Sequence, residues 1–474
     1  MNKAEIAEAL QAQKEYFAAG YTTNYMKGKA FRSTMLADLR DALQKYEPQL
    51  LQALQQDLDK AEYEAYTTEI IPIQQEMEYV FKKGGSWLKE KSVLPNKLTA
   101  HGTAKVQYLP KGCVLIMAPW NYPLLLTIMP LISAILAGNC CVIKPSESAP
   151  ATAAVLEEMI SNTFKPEYIR VINGDAETAR ALTEAPFDHI FFTGSQQVGR
   201  QVMAAAAKNM ASVTLELGGK SPCIVTSSAN IFKSAKSIIW AKLLNCGQTC
   251  VAPDYVLVSE EQKDPFISSL VFAIKEMYGQ EPLQSPDYGR IVNRQHFDRL
   301  LAYIEPYRNK GGLVYGGQSD ASQLKLAPTI LSGVNLDDPV MQEEIFGPIL
   351  PVLTYDKISN AIRFINSRPE PLACYMFDNT DELTRQVCSK VRCGGICIND
   401  TLTQMLHPGL PFGGLGASGF GRYHGEAGFA EFSVPQAVFK NRMGANALRY
   451  APYTESKLQK LKQTFKLGIF GKKF

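Results

Sequence analysis

Two cysteines four residues apart are the feature of the sequence that most directly suggests chemistry. Cys246 and Cys250 lie in the stretch NCGQTCVAPD. A metal site would need further ligands at workable spacing, and none accompanies this pair. A disulfide would need an oxidising compartment, whereas the polar segment MNKAEIAEALQAQ predicts no export signal and therefore reduced thiols. A nucleophile needs one sulfur, a base and oxyanion donors, and spacing alone leaves both cysteines open to that role or to simple burial.

A carboxylate inside an apolar strand is the second candidate for chemistry. Glu216 stands in LELGGKSP, where desolvation by apolar neighbours is expected to raise the pKa of its carboxyl group. A carboxylate whose pKa is nearer to neutral suits general-base catalysis. Taken alone, Glu216 is explained equally well by pairing with a buried cation.

Two predicted strand ends carry residues that could bind a nucleotide. The stretch FFTGSQQVGR brings Gly194, Ser195 and Gly199 to the start of a predicted helix. Glycine lets a backbone approach a phosphate, and a helix N-terminus favours an anion. The stretch VIKPSE ends a strand with Lys144 and Glu147, and a carboxylate there can accept hydrogen bonds from ribose hydroxyls, which favours NAD over NADP. Taken alone, each motif is better explained by an ordinary turn after a strand.

The elements that must position these residues are predicted to form open α/β sheets. The stretch 112–143 contains no charged residue, but its prolines and its closing AGN indicate a strand, a buried helix near 124–137 and a second strand rather than a membrane span. Apolar strands alternate with helices from about 112 to 217 and again from about 218 to 420. Residues 1–92 are predicted to be helical, because leucines recur there at helical spacing.

Length and charge limit the class of protein. A chain of 474 residues predicts at least two domains. A composition that is 46% hydrophobic and 20% charged is typical of a soluble globular protein. The net charge of +3 gives no indication of a nucleic-acid partner. Residues 456–474 carry six lysines and no acidic residue, so this segment is either a solvated terminus or a basic amphipathic segment that contacts an anionic membrane surface.

Seven motifs together resemble the aldehyde dehydrogenase superfamily, in the order in which that family has them. They are APWNYP, GNCCVIKPSE, FTGSQQVG, LELGGKSP, GQTCVAPD, EEIFGP and LPFGGLGASGFGRYHG. The variant NYP, the stretch FGRYHGEAGFAEFS and the terminus LRYAPYTESKLQKLK resemble the class 3 branch, which includes dimers that act on medium-chain, fatty and aromatic aldehydes.

The resemblance implies an α/β fold with three structural parts and a tail. It implies a doubly wound NAD-binding domain formed by residues 1–96 and 109–217 and an α/β catalytic domain formed by 218–426. It also implies a small β oligomerisation arm formed by 97–108 and 427–445, followed by a basic tail at 446–474.

The resemblance also assigns roles to individual residues. Cys250 becomes the nucleophile, Glu216 the general base, and the Asn121 amide the partner of the Cys250 backbone N–H in an oxyanion hole, while Cys246 becomes a packed side chain. Glu344 is expected to hold the nicotinamide ribose. The expected cofactor contacts are Trp120, Lys144, Glu147, Gly194, Ser195, Gly199, Leu217, Glu344 and Phe346, and the expected substrate contacts are Tyr122, Thr249 and Phe412.

The activity implied by the resemblance is oxidation of medium- or long-chain or aromatic aldehydes to carboxylic acids through a thiohemiacetal and a thioester on Cys250. It implies NAD as the cofactor, with NADP as an alternative, no metal, and a cytoplasmic homodimer. Three other functions stay open: acyl transfer to coenzyme A or phosphate, a cysteine hydrolase without redox chemistry, and an inactive NAD-binding structural protein. The presence of Glu216 argues against acyl transfer, and the nucleotide motifs argue against the hydrolase.

Overall fold

The computed structural model describes residues 3–20, 25–96, 99–441 and 447–465. The chain divides into two compact units. The described parts of Met1–Leu88 and Leu109–Val434 form the first unit, and those of Lys89–Tyr108 and Pro435–Phe474 form the second. None of the helices in these described ranges is long and apolar enough to cross a membrane.

The first unit begins with helices, as the leucine spacing predicts. They are Lys3–Ala18, Tyr25–Leu58, Glu62–Ala65 and Ile71–Trp87. Leu39, Leu50 and Leu54 are fully buried, so one face of the second helix packs inside the unit. A π-helical turn at Tyr66–Ile70 joins the last two helices. Such turns are rare and often occur at functional sites.

A six-stranded sheet follows. Its strands, in spatial order, are Gly419–Phe420, Ser212–Leu217, His189–Gly194, Cys113–Met117, Cys140–Lys144 and Ile169–Val171. Every neighbouring pair is parallel except the first. The connecting helices include Leu125–Ala137, Pro150–Thr163, Ala176–Glu184 and Gln196–Lys208. The strand order reverses between Cys113–Met117 and His189–Gly194, and open sheets of this kind bind ligands at the carboxyl ends of strands beside such a reversal.

The uncharged stretch forms the strand, helix and strand that the sequence predicts. Every residue of Cys113–Met117, Leu125–Ala137 and Cys140–Lys144 is buried. Burial on both faces explains the lack of charge, because helices cover both sides of a parallel sheet. Pro130 lies inside the helix.

The first unit also contains the two-stranded antiparallel sheet of Ser319–Asp320 and Lys325–Leu326 and a seven-stranded sheet. Its order is Leu313–Tyr315, Thr329–Ser332, Ile349–Tyr355, Tyr255–Ser259, Pro222–Val225, Ala373–Phe377 and Gly395–Ile398. It is parallel except for the first pair. The helices of this part are Ile231–Leu243, Lys263–Tyr278, Arg294–Lys310, Pro339–Gln342, Ile358–Asn366, Asp381–Lys390, Thr403–Leu406 and Gly425–Glu431. The two mainly parallel sheets confirm the predicted α/β class.

The second unit contains a three-stranded sheet and a helix. The strands are Lys91–Val93, Gly102–Pro110 and Ser433–Asn441, in that order, and the helix is Glu455–Thr464. The strands Gly102–Pro110 and Ser433–Asn441 overlap the segments 97–108 and 427–445 expected to form the oligomerisation arm, whereas Lys91–Val93 lies in the part expected to belong to the NAD-binding domain. Residues 97–98 and 442–445 of that arm fall outside the described ranges. The predicted domain boundaries and the oligomerising role stay predictions. The apolar segment LGIF at 467–470 also lies outside the described residues.

Candidate active site

A cavity of about 1270 Å³ lies at the carboxyl ends of the six-stranded sheet. Strand ends and the loops after them supply one part of its wall, and loops of the seven-stranded half supply the other. Ten of the residues expected to form the site border it: Trp120, Asn121, Lys144, Glu147, Gly194, Ser195, Glu216, Cys250, Glu344 and Phe346. The expected catalytic and cofactor residues therefore share one space.

The two cysteines occupy different environments. Cys250 is half-buried and borders the cavity. Cys246 is only 2% exposed and does not border it. The backbone separates them, because Asn245, Cys246 and Gly247 all adopt positive φ angles of 51°, 54° and 77°. This turn directs the chain so that one sulfur of the pair is accessible from the cavity.

The Cys250 thiol is held in its protonated form. Burial raises its pKa to about 12, and the negative charges of Glu344 and Glu216 add to this effect. The backbone N–H groups of Cys250 and Val251 act in the opposite direction. A nucleophilic thiolate therefore needs a base or a positive charge that enters the cavity with a ligand.

Glu216 is the penultimate residue of the strand Ser212–Leu217 and is 3% exposed. Neither of its carboxylate oxygens has a hydrogen-bond partner among the described residues. Burial raises the pKa of this carboxyl group well above its ordinary value, Arg422 opposes the shift, and Glu431 adds to it. A buried carboxyl group without a partner next to a cysteine is suited to proton transfer, since its free oxygens can accept a proton from a bound reactant.

Asn121 follows the strand Cys113–Met117 and is buried. Its side-chain Nδ2 donates to the carbonyl oxygen of Gln248 at 3.0 Å, two residues before Cys250. The backbone carbonyl oxygen of Asn121 accepts hydrogen bonds from Lys60 Nζ at 3.0 Å and from Asn245 Nδ2 at 2.7 Å. The amide is thus fixed beside the segment that carries the nucleophile candidate.

The residues expected to hold the adenosine end lie at the ends of Cys140–Lys144 and His189–Gly194, the two strands that flank Cys113–Met117. Lys144 Nζ pairs with the Glu147 carboxylate at 3.0 Å, and the Glu147 side chain is 52% exposed. Ser195 caps the helix Gln196–Lys208, since its hydroxyl accepts from the Val198 N–H at 3.3 Å. The first turn of this helix borders the cavity, and free N–H groups at a helix start favour an anion.

Gly199 and Leu217 do not border the cavity and instead pack against each other. A Cβ atom at Gly199 would lie 2.8 Å from the Leu217 side chain, so the helix Gln196–Lys208 can approach the strand only with glycine here. The structure therefore places both residues beneath the cavity wall, where they set the distance between helix and sheet.

Glu344 is half-buried next to a second glycine. A Cβ atom at Gly218 would lie 1.9 Å from Glu344 Oε2, so this approach requires glycine. Burial, together with the negative charge of Asp254, raises the pKa of Glu344 to about 8, while the Gly219 N–H, Lys220 and Lys242 lower it. Glu344 therefore presents a carboxyl group that titrates near neutral pH.

Two aromatic rings stand together at the same part of the cavity. Phe346 has a positive φ of 49°, and its ring packs edge-to-face on Trp120 with centroids 5.5 Å apart. The ring of His296 also contacts Trp120, with ring centroids 5.4 Å apart, and His296 borders the cavity. His296, which lies at the start of the helix Arg294–Lys310, was not predicted to belong to the site.

The three expected substrate contacts do not border this cavity. Tyr122 and Thr249 share a hydrogen bond of 2.7 Å between their hydroxyls. Phe412 packs edge-to-face on Tyr423 at 5.5 Å and on His424 at 5.8 Å. The Tyr423 pKa is raised by burial and further by the charges of Glu216 and Cys250, so this aromatic cluster lies close to both groups.

The described ranges contain no cluster of three or more His, Cys, Asp or Glu side chains able to hold a metal ion. Several residues near the site are absent from the sequence-based prediction. Tyr423 stood inside a quoted motif, RYHG, without a role. Lys60, Glu69 and Asn245 gave no signal, because their significance depends on contacts between distant parts of the chain.

Comparison with known proteins supplies independent evidence. The model of the aldehyde dehydrogenase family matches residues 1–438. The chain is 44% identical to 4,4'-diaponeurosporen-aldehyde dehydrogenase of Staphylococcus aureus (strain NCTC 8325 / PS 47), covering 94% of this chain and 97% of that one. It is 43% identical to aldehyde dehydrogenase family 3 member B1 of Rattus norvegicus, covering 96% of each.

Solved structures show the same similarity. A substrate-bound Staphylococcus aureus AldH superposes with a TM-score of 0.93 at 42% identity, covering 98% of this chain and 100% of that one. An indole-3-acetaldehyde dehydrogenase in complex with NAD⁺ superposes with a TM-score of 0.83 at 27% identity, covering 93% and 90%.

Proposed function

The chain belongs to the aldehyde dehydrogenase family, and we propose that it oxidises medium- or long-chain and aromatic aldehydes to carboxylic acids through a covalent intermediate on Cys250. The observation that carries this proposal is the single cavity bordered by a cysteine, a partnerless buried carboxyl group and a fixed amide, together with residues suited to a dinucleotide. Its similarity to family 3 members supports the class 3 branch.

The first step is attack by Cys250 Sγ on the aldehyde carbon. Because the thiol pKa is about 12 in the protein alone, the thiol proton must leave to solvent while a positive charge that enters the cavity with a ligand stabilises the thiolate. The carbonyl oxygen becomes an oxyanion held by Asn121 Nδ2 and the Cys250 backbone N–H. One such donor typically contributes roughly 3 kcal/mol to the transition state. The product of this step is a thiohemiacetal.

The residues around the cavity fit a nicotinamide dinucleotide. The first turn of the helix Gln196–Lys208 offers N–H groups to a pyrophosphate, Lys144 and Glu147 offer partners to one ribose, and Glu344 offers a carboxylate to the other. A nicotinamide held by these residues would accept a hydride from the thiohemiacetal carbon, and a thioester would then remain on Cys250. NAD⁺ complexes of similar proteins support this assignment.

Hydrolysis of the thioester completes the cycle. Glu216 accepts a proton from a water molecule that attacks the thioester carbon. The bond between that carbon and Cys250 Sγ then breaks, so the carboxylic acid leaves and the Cys250 thiolate is released. The free carboxylate oxygens of Glu216 support this role, because no other described residue competes for them. A raised pKa makes the group a better base once it is ionised.

Glu147 favours NAD over NADP. Its half-exposed carboxylate is held by Lys144, and it would repel a 2′-phosphate on the adenosine ribose. Because the Glu147 side chain is half exposed, it can also turn towards solvent, so NADP stays an alternative cofactor. Comparing kcat/KM for both nucleotides in wild type and Glu147→Gln measures this preference, and the variant should gain relative activity with NADP.

The aldehyde is proposed to be extended and apolar. The Staphylococcus aureus relative is named for a diaponeurosporen aldehyde, and the cluster of Phe412, Tyr423 and His424 provides aromatic surface near Cys250 and Glu216. Tyr122 and Thr249 add a hydrogen-bonded polar pair, and Thr249 immediately precedes Cys250 in sequence.

An absorbance assay for NADH or NADPH with a panel of short, long and aromatic aldehydes tests the proposal. Activity without coenzyme A or phosphate, with a free carboxylic acid as product, is the expected result. Dependence on either acyl acceptor would favour acyl transfer, hydrolysis without a nucleotide would favour the cysteine hydrolase, and a flat trace with every aldehyde would favour the structural protein.

A further inference from the structure

A buried ion pair lies directly behind Asn121. Lys60 Nζ and Glu69 Oε1 are 2.6 Å apart, and their side chains are 1% and 0% exposed. Neither residue borders the active-site cavity. Burying two charges costs several kcal/mol per ion before pairing, so the position of this pair calls for a physical explanation.

The ammonium group of Lys60 contacts both residues of the Asn121–Tyr122 dipeptide. One N–H donates to Glu69, another donates to the Asn121 carbonyl at 3.0 Å, and the ammonium lies 4.0 Å from the centre of the Tyr122 ring. An ammonium group has three donors, and this arrangement gives each one a partner, since a ring face also attracts a cation.

Glu69 connects the same pair to the next helix. Its second oxygen, Oε2, accepts from the backbone N–H groups of Leu124 at 2.9 Å and Leu125 at 3.1 Å. These N–H groups open the helix Leu125–Ala137, and a carboxylate at a helix start is favoured by the helix dipole. Glu69 itself stands in the π-helical turn Tyr66–Ile70. The pair thus holds both ends of the short segment 121–125.

The backbone carbonyl oxygen of Asn121 accepts a second hydrogen bond, which comes from the segment that carries Cys250. Asn245 Nδ2 reaches it at 2.7 Å, and the Asn245 backbone N–H donates to Glu64 Oε1 at 2.8 Å. The left-handed backbone of Asn245, with φ 51° and ψ 36°, is one that asparagine tolerates better than most residues. Lys60 and Asn245 therefore fix the Asn121 carbonyl from two sides.

We propose that Lys60 and Glu69 are positioning residues that fix the Asn121 amide opposite Cys250. This inference rests on the proposed role of Asn121 as an oxyanion donor. Replacing a buried ion pair with neutral side chains is often neutral or favourable for stability, so the main effect of this pair is expected on geometry. A displacement of about 1 Å at a reacting group can cost roughly 100-fold in rate.

The test variant is Lys60→Met/Glu69→Gln, which removes both charges and leaves no unpaired carboxylate. The amide oxygen at position 69 still accepts from Leu124 and Leu125. We expect kcat to fall roughly 10- to 100-fold, while the KM for NAD changes less than about twofold and Tm stays near the wild-type value.

A double-mutant cycle with Asn121→Ala separates positioning from general damage. Once the amide is absent, the neutral pair has nothing left to misplace, so its further effect on kcat should be less than about twofold. The proposal would be overturned if Lys60→Met/Glu69→Gln lowered kcat equally in the protein with Asn121 and in the Asn121→Ala variant. It would also be overturned if these substitutions left kcat unchanged in the protein with Asn121. If the double substitution does not fold, Glu69→Gln alone is judged by the same two criteria.

The matched control is Lys325→Met/Asp59→Asn. This ion pair is 3.0 Å long and next to Lys60 in sequence, but its side chains are 11% and 46% exposed. Removing this ion pair should change kcat by less than about twofold, both in the protein with Asn121 and in the Asn121→Ala variant. If Asn121→Ala itself leaves kcat unchanged, the oxyanion role in the proposed function fails as well. If Asn121→Ala lowers kcat, but Lys60→Met/Glu69→Gln lowers it by the same further factor with or without Asn121, only the positioning role is rejected.

Discussion

At the scale of single residues, the Cys250 sulfur is surrounded by groups that oppose its negative charge. Burial and the carboxyl groups of Glu344 and Glu216 all raise its pKa, to about 12. Cys246 has no access to the cavity, although its sequence context did not distinguish it from Cys250. Reactivity at this site must therefore arise from one sulfur whose thiolate forms together with ligand binding.

Substituting the two cysteines separately tests which sulfur is the nucleophile. Cys250→Ser should reduce aldehyde oxidation by several orders of magnitude, because a hydroxyl in the same place is a much weaker nucleophile. Cys246→Ser should retain most of the activity, since that side chain only packs. Steady-state NADH production by both variants provides the measurement. Loss of activity in a folded, NAD-binding Cys246→Ser variant would reverse the assignment.

The pH dependence of Cys250 alkylation follows from the same charges. Since the thiol pKa is raised, the thiolate fraction in the enzyme without ligands should increase about tenfold per pH unit and show no plateau between pH 7 and 10. Glu344, with a pKa of about 8, becomes negative as the pH rises past 8 and opposes this increase. Glu344→Gln should therefore react faster than wild type above pH 8 and equally fast well below it.

Iodoacetamide labelling followed by mass spectrometry of the Cys250 peptide measures these rates. A wild-type rate that levels off near pH 8 would show that the thiol pKa is not raised.

At the scale of elements, close approaches between strand ends and loops shape the cavity. The six-stranded sheet supplies Asn121, Lys144, Ser195 and Glu216 from the carboxyl ends of neighbouring strands. Gly218, directly after such an end, allows the loop that carries Glu344 to come within contact distance. Small residues at these points therefore control where a charged side chain stands.

Gly218→Ala tests this control. The added Cβ would overlap Glu344 Oε2, which lies at the end of a flexible side chain, so the fold should survive while Glu344 is displaced. A hydrogen bond to a charged group contributes about 1.5–3 kcal/mol, and the Kd for NAD should rise roughly tenfold or more. Gly219→Ala is the matched control, because its Cβ would meet Pro371 only at an ordinary 3.4 Å. Equal NAD affinity in both variants, measured by fluorescence titration, would contradict the account.

Elements with strong local patterns are the part of the fold that could be predicted from the sequence. The apolar runs that become Cys113–Met117 and Cys140–Lys144 are buried on both faces, so their composition alone indicates parallel strands. The π-helical turn Tyr66–Ile70 could not be predicted, since nothing in its sequence separates it from the helices on either side.

The active site shows the same difference between residues in local sequence motifs and residues that only folding brings together. Glu216 and the strand-end residues belong to short contiguous motifs, and the family resemblance could assign them roles. Lys60 contacts Asn121 across 61 residues of chain, and such a contact depends on tertiary packing that one sequence does not encode locally. Spacing alone left Cys246 and Cys250 open and the family resemblance favoured Cys250, and the structure adds the turn that leaves only Cys250 of the two at the cavity.

At the scale of the whole molecule, the basic C-terminal segment carries an unpartnered apolar face among the described residues. No side chain of the helix Glu455–Thr464 is buried, and Leu458 and the following Phe465 are 43% and 38% exposed. Lysines surround this face. A helix of this kind can lie on an anionic membrane, where each lysine near the surface contributes about 1 kcal/mol.

Deletion of residues 456–474 tests this membrane contact. The truncated enzyme should bind less to vesicles that contain anionic phosphatidylserine, and its kcat/KM should fall more for long-chain aldehydes than for short ones. Co-sedimentation and a chain-length series measure the two effects. Unchanged vesicle binding with equal kcat/KM ratios across chain length would make the segment an ordinary solvated terminus.

Stopped-flow measurement of NADH production by Glu216→Gln tests whether the cycle is covalent on Cys250 with Glu216 as the base for hydrolysis. The amide retains the size of the side chain but cannot accept a proton from water. We predict a burst of roughly one NADH per subunit, followed by a steady rate at least about 100-fold below that of wild type, because hydride transfer precedes the impaired hydrolysis. A variant that shows no burst, or a steady rate equal to that of wild type, would contradict the claim.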